Sequence, residues 1–236
     1  MTKRGGQKKQ SARMVREQMA RERRRRRTIW TSVAAAAVLV IAGMIGWGIY
    51  ASRPGEVIPP PGAVEGDSGI AVGSGPVTID VYEDFMCPAC RQSEELVGST
   101  LDQLAADGKA RVVYHPVAIL DRYSTTKYST RASAASGCAA EGGKFREYAT
   151  ALFANQPSQG SVGLSDTKLV ELGKSVGLGD DFAACVRVGK YKTWTVHVTD
   201  KSGEQNVRGT PTIRVAGKDV DAFKADEIKK AVEAAS

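Results

Sequence analysis

Between Thr28 and Tyr50 the chain runs for 23 residues without a charged side chain, rich in Ala, Val, Ile and Leu. As a helix that run spans about 34 Å, enough to cross a bilayer core. Core helices of soluble domains seldom continue this far without a charge, so the run predicts one transmembrane helix. Trp30 lies near one end and Trp47 and Tyr50 near the other, where interfacial aromatics belong. The run is longer than a signal-peptide core, and Ile49-Tyr50-Ala51 is a poor cleavage site, which favours an uncleaved signal anchor.

The charge is distributed around this run. The formal net charge is +7, yet residues 1–27 hold twelve Lys or Arg against Glu17 and Glu22, a local +10. The remaining 21 basic and 24 acidic residues leave −3 for everything beyond. Arg23–Arg27 abuts the amino-terminal end of the run. By the positive-inside rule, residues 1–27 form a cytoplasmic tail, 28–50 span the plasma membrane once, and the rest is extracytoplasmic. The basic block has no interleaved aromatics, which argues against nucleic acid as a partner and for contact with the lipid bilayer. Residues 51–75, with Pro54, Pro59, Pro60 and Pro61 among several glycines, read as a linker. Its typical reach is roughly 25–30 Å, which keeps the following domain near the membrane.

From residue 76 the pattern is α/β. Val77–Tyr82 alternates and is rich in β-branched residues, a strand. A helix is expected over about Pro88–Ala106 and a second strand over Arg111–Val117. A strand, helix, strand order implies a parallel pair. Helices are then expected near Ser124–Glu141, Lys144–Phe153, Asp166–Val176, Asp180–Arg187 and Lys190–Lys201, an inserted helical unit at about 121–203. Thr210–Val215 reads as a strand, Ala216–Asp219 as a hairpin turn, Val220–Ala222 as a short strand and Ala225–Ala235 as the closing helix.

Cys87-Pro88-Ala89-Cys90 stands at the junction of the first strand and its helix. Disulfide exchange needs one accessible sulfur with thiolate character and a second able to resolve the mixed disulfide. At a helix start, free N–H groups and the positive end of the dipole stabilise a Cys87 thiolate, while Cys90 lies one turn on and deeper. Pro88 loses nothing there, since its N–H would be unpaired. A zinc site would need two further ligands at suitable spacing; Cys138 and Cys185 are isolated and His115 and His197 form no paired motif, so no metal is expected.

These residues resemble the DsbA-like thiol–disulfide oxidoreductases of the thioredoxin superfamily, over about residues 75–236. Asp84-Phe85-Met86-Cys87-Pro88-Ala89-Cys90 is similar to that family's active-site segment, and Gly209-Thr210-Pro211-Thr212 to its cis-proline loop. Actinobacterial members with a single-helix anchor look especially similar. The resemblance implies a thioredoxin-like fold with an inserted helical subdomain, Cys87 as nucleophile, Cys90 as resolving cysteine, and Pro211 as a cis-proline, with the Thr210 backbone offered to substrate. It implies no bound cofactor and a membrane reoxidase of the DsbB or vitamin-K-epoxide-reductase type as partner. In one respect the chain departs from the pattern. Many thioredoxin-fold enzymes carry a buried acid six positions before the nucleophile, and here that position is Val81. Asp80, Glu83 and Asp84 are close, but are expected to point differently or to lie nearer the surface, which leaves Glu83 a weak substitute.

Outside the cell Cys138 and Cys185 are expected to form a structural disulfide, the alternative being two buried thiols. The expected activity is oxidation of cysteine thiols in secreted or cell-envelope proteins. A reductase or isomerase of the same fold, or a binding module without turnover, would carry the same motif.

Overall fold

The computed structural model describes residues 4–51, 56–64, 66 and 68–236. The expected linker thus lies partly outside the described residues. The chain forms two units, 1–54 and 55–236.

In the first unit, α1 (Arg4–Ala51) is one continuous helix that includes both the basic tail and the apolar run. Its Arg23–Trp47 stretch is long and apolar enough to cross a membrane. Leu39 is 72% and Trp47 73% exposed.

The second unit is built on a five-stranded sheet. Its strands are β1 (Ile70–Val72), β2 (Val77–Glu83), β3 (Ala110–Pro116), β4 (Thr212–Val215) and β5 (Lys218–Val220). They lie in the order β1-β3-β2-β4-β5. β2 and β3 are parallel, with Ile79 opposite Val112 and Val81 opposite Tyr114, and the other pairings are antiparallel. The crossover between the parallel strands is α2 (Pro88–Ala106). Alternation along β2 sends Ile79, Val81 and Glu83 to one face and Asp80 and Tyr82 to the other. The first face is covered by α2, whose Val97 and Leu101 are almost wholly buried. On the opposite face the Tyr82 hydroxyl donates to Gln205 Oε1 at 2.6 Å, and the Ala118 N–H to Thr199 Oγ1 at 2.9 Å, which secures the last inserted helix and its end.

β1 falls inside the stretch read as a linker from composition. Its three residues pair with Val112–Tyr114, and His115 Nδ1 lies 2.6 Å from Ser68 O. A three-residue edge strand among Gly and Pro carries no periodicity, so the domain begins earlier than residue 76. At the other end the hairpin is tighter than expected. Ala216 and Gly217 both take positive φ, 47° and 78°, so a two-residue turn moves β5 to Lys218–Val220.

The inserted helices are α3 (Tyr128–Glu141), α4 (Phe145–Ala154), α5 (Asp166–Ser175), α6 (Asp180–Val188) and α7 (Lys192–Glu204), and α8 (Ala225–Ala235) closes the chain. α3 begins four residues later than its pattern suggests. Ile119–Tyr123 winds into a 3-10 turn and Lys127 adopts φ 52°, while Ser124 Oγ accepts from the Tyr128 N–H. Cys138 on α3 and Cys185 on α6 are joined by a disulfide across a sequence separation of 47. The chain-entropy argument assigns about 4 kcal/mol to closing a loop of that length. We expect the double substitution Cys138→Ala, Cys185→Ala to lower unfolding stability by roughly 2–4 kcal/mol, as read by denaturant titration. No change at all would mean that packing alone holds α3 to α6.

Candidate active site

Cys87 is the N-cap of α2, with extended backbone (φ −82°, ψ 116°) and Pro88 as the first helical residue. The Cys87 carbonyl accepts from the N–H of Cys90 at 3.0 Å and of Arg91 at 3.2 Å, so the motif begins the helix ladder. Cys87 and Cys90 are free thiols, 8% and 2% exposed, so Cys87 is the less buried of the two.

The loop that presents them is tied down by Asp84. Its Oδ1 accepts from the Met86 N–H at 2.9 Å and Ser129 Oγ at 2.6 Å, and its Oδ2 from the Leu120 N–H at 2.9 Å. The Asp84 carbonyl accepts from the Cys87 N–H at 2.9 Å, and its own N–H points to Cys90 Sγ at 3.5 Å. Burial pushes this carboxyl up to about 6, against the pull of its three donors. From the helical unit, Gln156 Nε2 donates to Phe85 O at 3.2 Å and to Cys87 O at 3.0 Å. Neither anchoring role was readable from sequence. A solvated-looking acid and a loop glutamine carry no signal of the backbone groups they meet.

Thr210–Pro211 is a cis peptide, and the turn faces the dithiol, with Cys87 Sγ donating to Thr210 O at 3.3 Å. All four residues singled out for the site, Cys87, Cys90, Thr210 and Pro211, therefore meet in one place. Cys138 and Cys185 lie elsewhere, in the inserted helices.

The two sulfurs differ sharply in acidity. Cys87 is brought down to about 5: a hydrogen bond from the Cys90 thiol outweighs burial, aided by Thr210 and the backbone N–H groups of Cys90 and Ala89. Cys90 is pushed well up, by burial first and then by the neighbouring Cys87. Near neutral pH the pair holds one thiolate and one thiol, with the charge at the helix start.

Glu83 corrects an expectation. It is not near the surface: it is 4% exposed and shares the α2-facing side of β2 with Val81, two residues back on the same strand. A strand's two-residue repeat puts positions 81 and 83 on one face, so the carboxyl missing at Val81 reappears one pleat further along. Glu83, Val81, Cys90, Ser93, Glu94 and Pro211 border a cavity of about 10 Å³. Glu83 Oε1 has no hydrogen-bond partner among the described residues. Burial, reinforced by Glu94 and opposed by Arg146, raises the carboxyl to about 8.

A dithiol on a helix start, faced by a cis-proline turn and mounted on this sheet, defines a thioredoxin-like protein. The thioredoxin family profile matches residues 67–234, and the chain belongs to that family. Among solved structures, reduced DsbA from Mycobacterium tuberculosis is 28% identical, with a TM-score of 0.58, covering 72% of this chain and all of its own. The reduced disulfide bond oxidoreductase DsbG from the same organism is 29% identical, with a TM-score of 0.60, over 72% of this chain and 95% of its own. MdbA, a thiol-disulfide oxidoreductase from Corynebacterium diphtheriae, shares the fold at 23% identity and a TM-score of 0.61, over 77% of this chain and 98% of its own. Within its family the chain is similar to thiol–disulfide oxidoreductases of the DsbA-like type. It also matches serine/threonine-protein kinase PknE of M. tuberculosis, 32% identical over 160 residues, 62% of this chain, and spans only 28% of the kinase's length.

Alkylation of the reduced protein across pH should reveal one thiol titrating near pH 5 and a second that stays unreactive until well above pH 9. Equal reactivity of the two at neutral pH would contradict the asymmetry.

Proposed function

We propose that the protein is a membrane-anchored, extracytoplasmic thiol–disulfide oxidase for secreted or cell-envelope proteins. What supports the direction is the place of Cys87 at a helix start, where its thiol is brought down to about 5, beside a buried Cys90 thiol that is pushed up. A stabilised Cys87 thiolate favours the reduced form of the enzyme and so makes its disulfide a stronger oxidant. The location rests on Arg23–Arg27 flanking the apolar helix, which holds residues 1–27 in the cytoplasm while 28–50 cross the bilayer.

In the proposed cycle Cys87 and Cys90 begin as a disulfide. A substrate thiolate attacks Cys87 Sγ; the bond to Cys90 breaks and Cys90 leaves, taking up a proton. A second substrate thiolate then attacks the substrate sulfur of the mixed disulfide and expels Cys87 as a thiolate. Two electrons have passed from the substrate to the Cys87–Cys90 pair. Thr210, whose carbonyl already meets Cys87 Sγ, offers backbone to the bound segment. Glu83, raised to about 8, is protonated near neutral pH and stands across the cavity from Cys90 as the proton donor to the departing sulfur. A membrane reoxidase of the DsbB or vitamin-K-epoxide-reductase type restores the disulfide.

Measurement of the Cys87–Cys90 potential tests the direction: a value near about −120 mV supports the oxidase, and one near about −270 mV a reductase. Cys87→Ser should abolish exchange, while Cys90→Ala should accumulate mixed disulfides with substrate proteins in native membranes. If Cys87→Ser left the cellular role intact, the domain would be a binding module.

Glu83 has a separate signature. Its folded value lies above its unfolded value of about 4.5, so its burial favours the folded state below pH 4.5 and that contribution is lost as pH rises through about 8. Glu83→Gln should therefore flatten stability between pH 4.5 and about 8, as read by thermal melts, and slow Cys90-dependent exchange by about a hundredfold. A variant with unchanged exchange rates would exclude Glu83 from proton transfer.

A further inference from the structure

Beside the cis-proline turn runs a groove of about 470 Å³, bordered by Asn206, Arg208, Thr210, Thr212, Arg214 and Asp219. We infer that this groove selects protein segments with an acidic side chain within two or three residues of the exchanging cysteine, Arg208 being the specificity-determining cation. The inference rests on the exchange reading above and adds the chemistry of the preferred substrate.

The groove opens at Thr210, whose carbonyl is 3.3 Å from Cys87 Sγ, so a segment whose cysteine meets Cys87 must pass along it. The β2–β4 ladder ends at the Tyr82–Thr212 pair, which leaves residues 208–210 beyond the sheet's own pairing; there the Gly209 carbonyl accepts from the Thr212 hydroxyl at 2.8 Å and the Thr210 carbonyl faces Cys87 Sγ, where an extended chain would enter. Such a chain advances about 3.3 Å per residue, so side chains two or three positions from its cysteine come level with Arg208.

Three charged side chains border the groove, and two cancel. Arg214 Nε meets Asp219 Oδ1 at 2.5 Å, and the Arg214 guanidinium lies over the Tyr82 ring, 5.6 Å from its centroid. Arg208 is exposed and has no carboxylate partner among the described residues. Its planar fork of donors fits a carboxylate, and it stands in a part of the chain, residues 28–236, whose net charge is −3. The local sign is thus opposite to the general one, which makes the groove discriminating: acidic side chains are attracted at this spot and basic ones are not.

The test uses the oxidised full-length protein in detergent and peptides with two cysteines, identical except for Glu or Lys two residues from a cysteine, on either side. In each turnover the peptide thiols lose two electrons and two protons and close one S–S bond, while the Cys87–Cys90 bond opens to a Cys87 thiolate and a Cys90 thiol and the second proton passes to solvent. The ratio of second-order rate constants, Glu over Lys, is compared between the parent and Arg208→Glu; taking this ratio of ratios cancels the peptides' intrinsic thiol reactivity. We expect the parent ratio to exceed the variant's by about tenfold at low salt and the gap to close as ionic strength rises. A ratio unchanged by Arg208→Glu, with exchange proceeding, overturns the inference and leaves the exchange reading standing. No exchange with any peptide overturns both.

Discussion

Asp84 is the residue on which the geometry of this domain turns. Its carboxylate is buried and accepts three hydrogen bonds, from Met86, Leu120 and Ser129. These donors come from three pieces of chain: the redox loop, the 3-10 turn after β3, and the first inserted helix. Its main chain also touches both cysteines. A buried carboxylate is costly unless its oxygens are satisfied, so these three segments can close together only in an arrangement that supplies the donors. The dithiol is therefore held by the junction of sheet and helical insertion, with Gln156 fixing the loop's carbonyls from the other side.

That rigidity lets small differences in environment separate two chemically identical thiols. Cys87 sits at a helix start, with N–H groups and the Cys90 thiol directed at it, whereas Cys90 is one turn deeper, at the small cavity that Glu83 also borders. Placing one sulfur where a negative charge is welcome and the other where it is not creates a pair with a defined order of attack and departure. Glu83 Oε1, without a hydrogen-bond partner among the described residues, borders the same small cavity as Cys90, and burial raises its carboxyl to about 8.

Much of this was legible in the residues. The β2–α2–β3 unit follows from alternation, a helix start and a second β-branched run, and its parallel pairing is the one observed. Where the reading failed, a contact between distant segments decided the outcome. β1 is too short to show a period and exists because β3 offers it an edge. The start of α3 moved because Ser124 and Lys127 shape the turn before it. Glu83, expected to point differently or to lie nearer the surface, is buried on the face of β2 that α2 covers.

From the sequence by itself come the apolar helix with its basic flank, the Cys87–Cys90 spacing at a helix start, and the Thr210-Pro211 signature. Each is local, encoded by residue type over a few turns of chain. Only the tertiary structure decided that Thr210 meets Cys87, that Asp84 collects donors from three segments, and that Arg208 stands without a carboxylate beside the groove. Those facts depend on burial and on partners tens of residues away, and no periodicity or spacing records which side chains the fold will bring together.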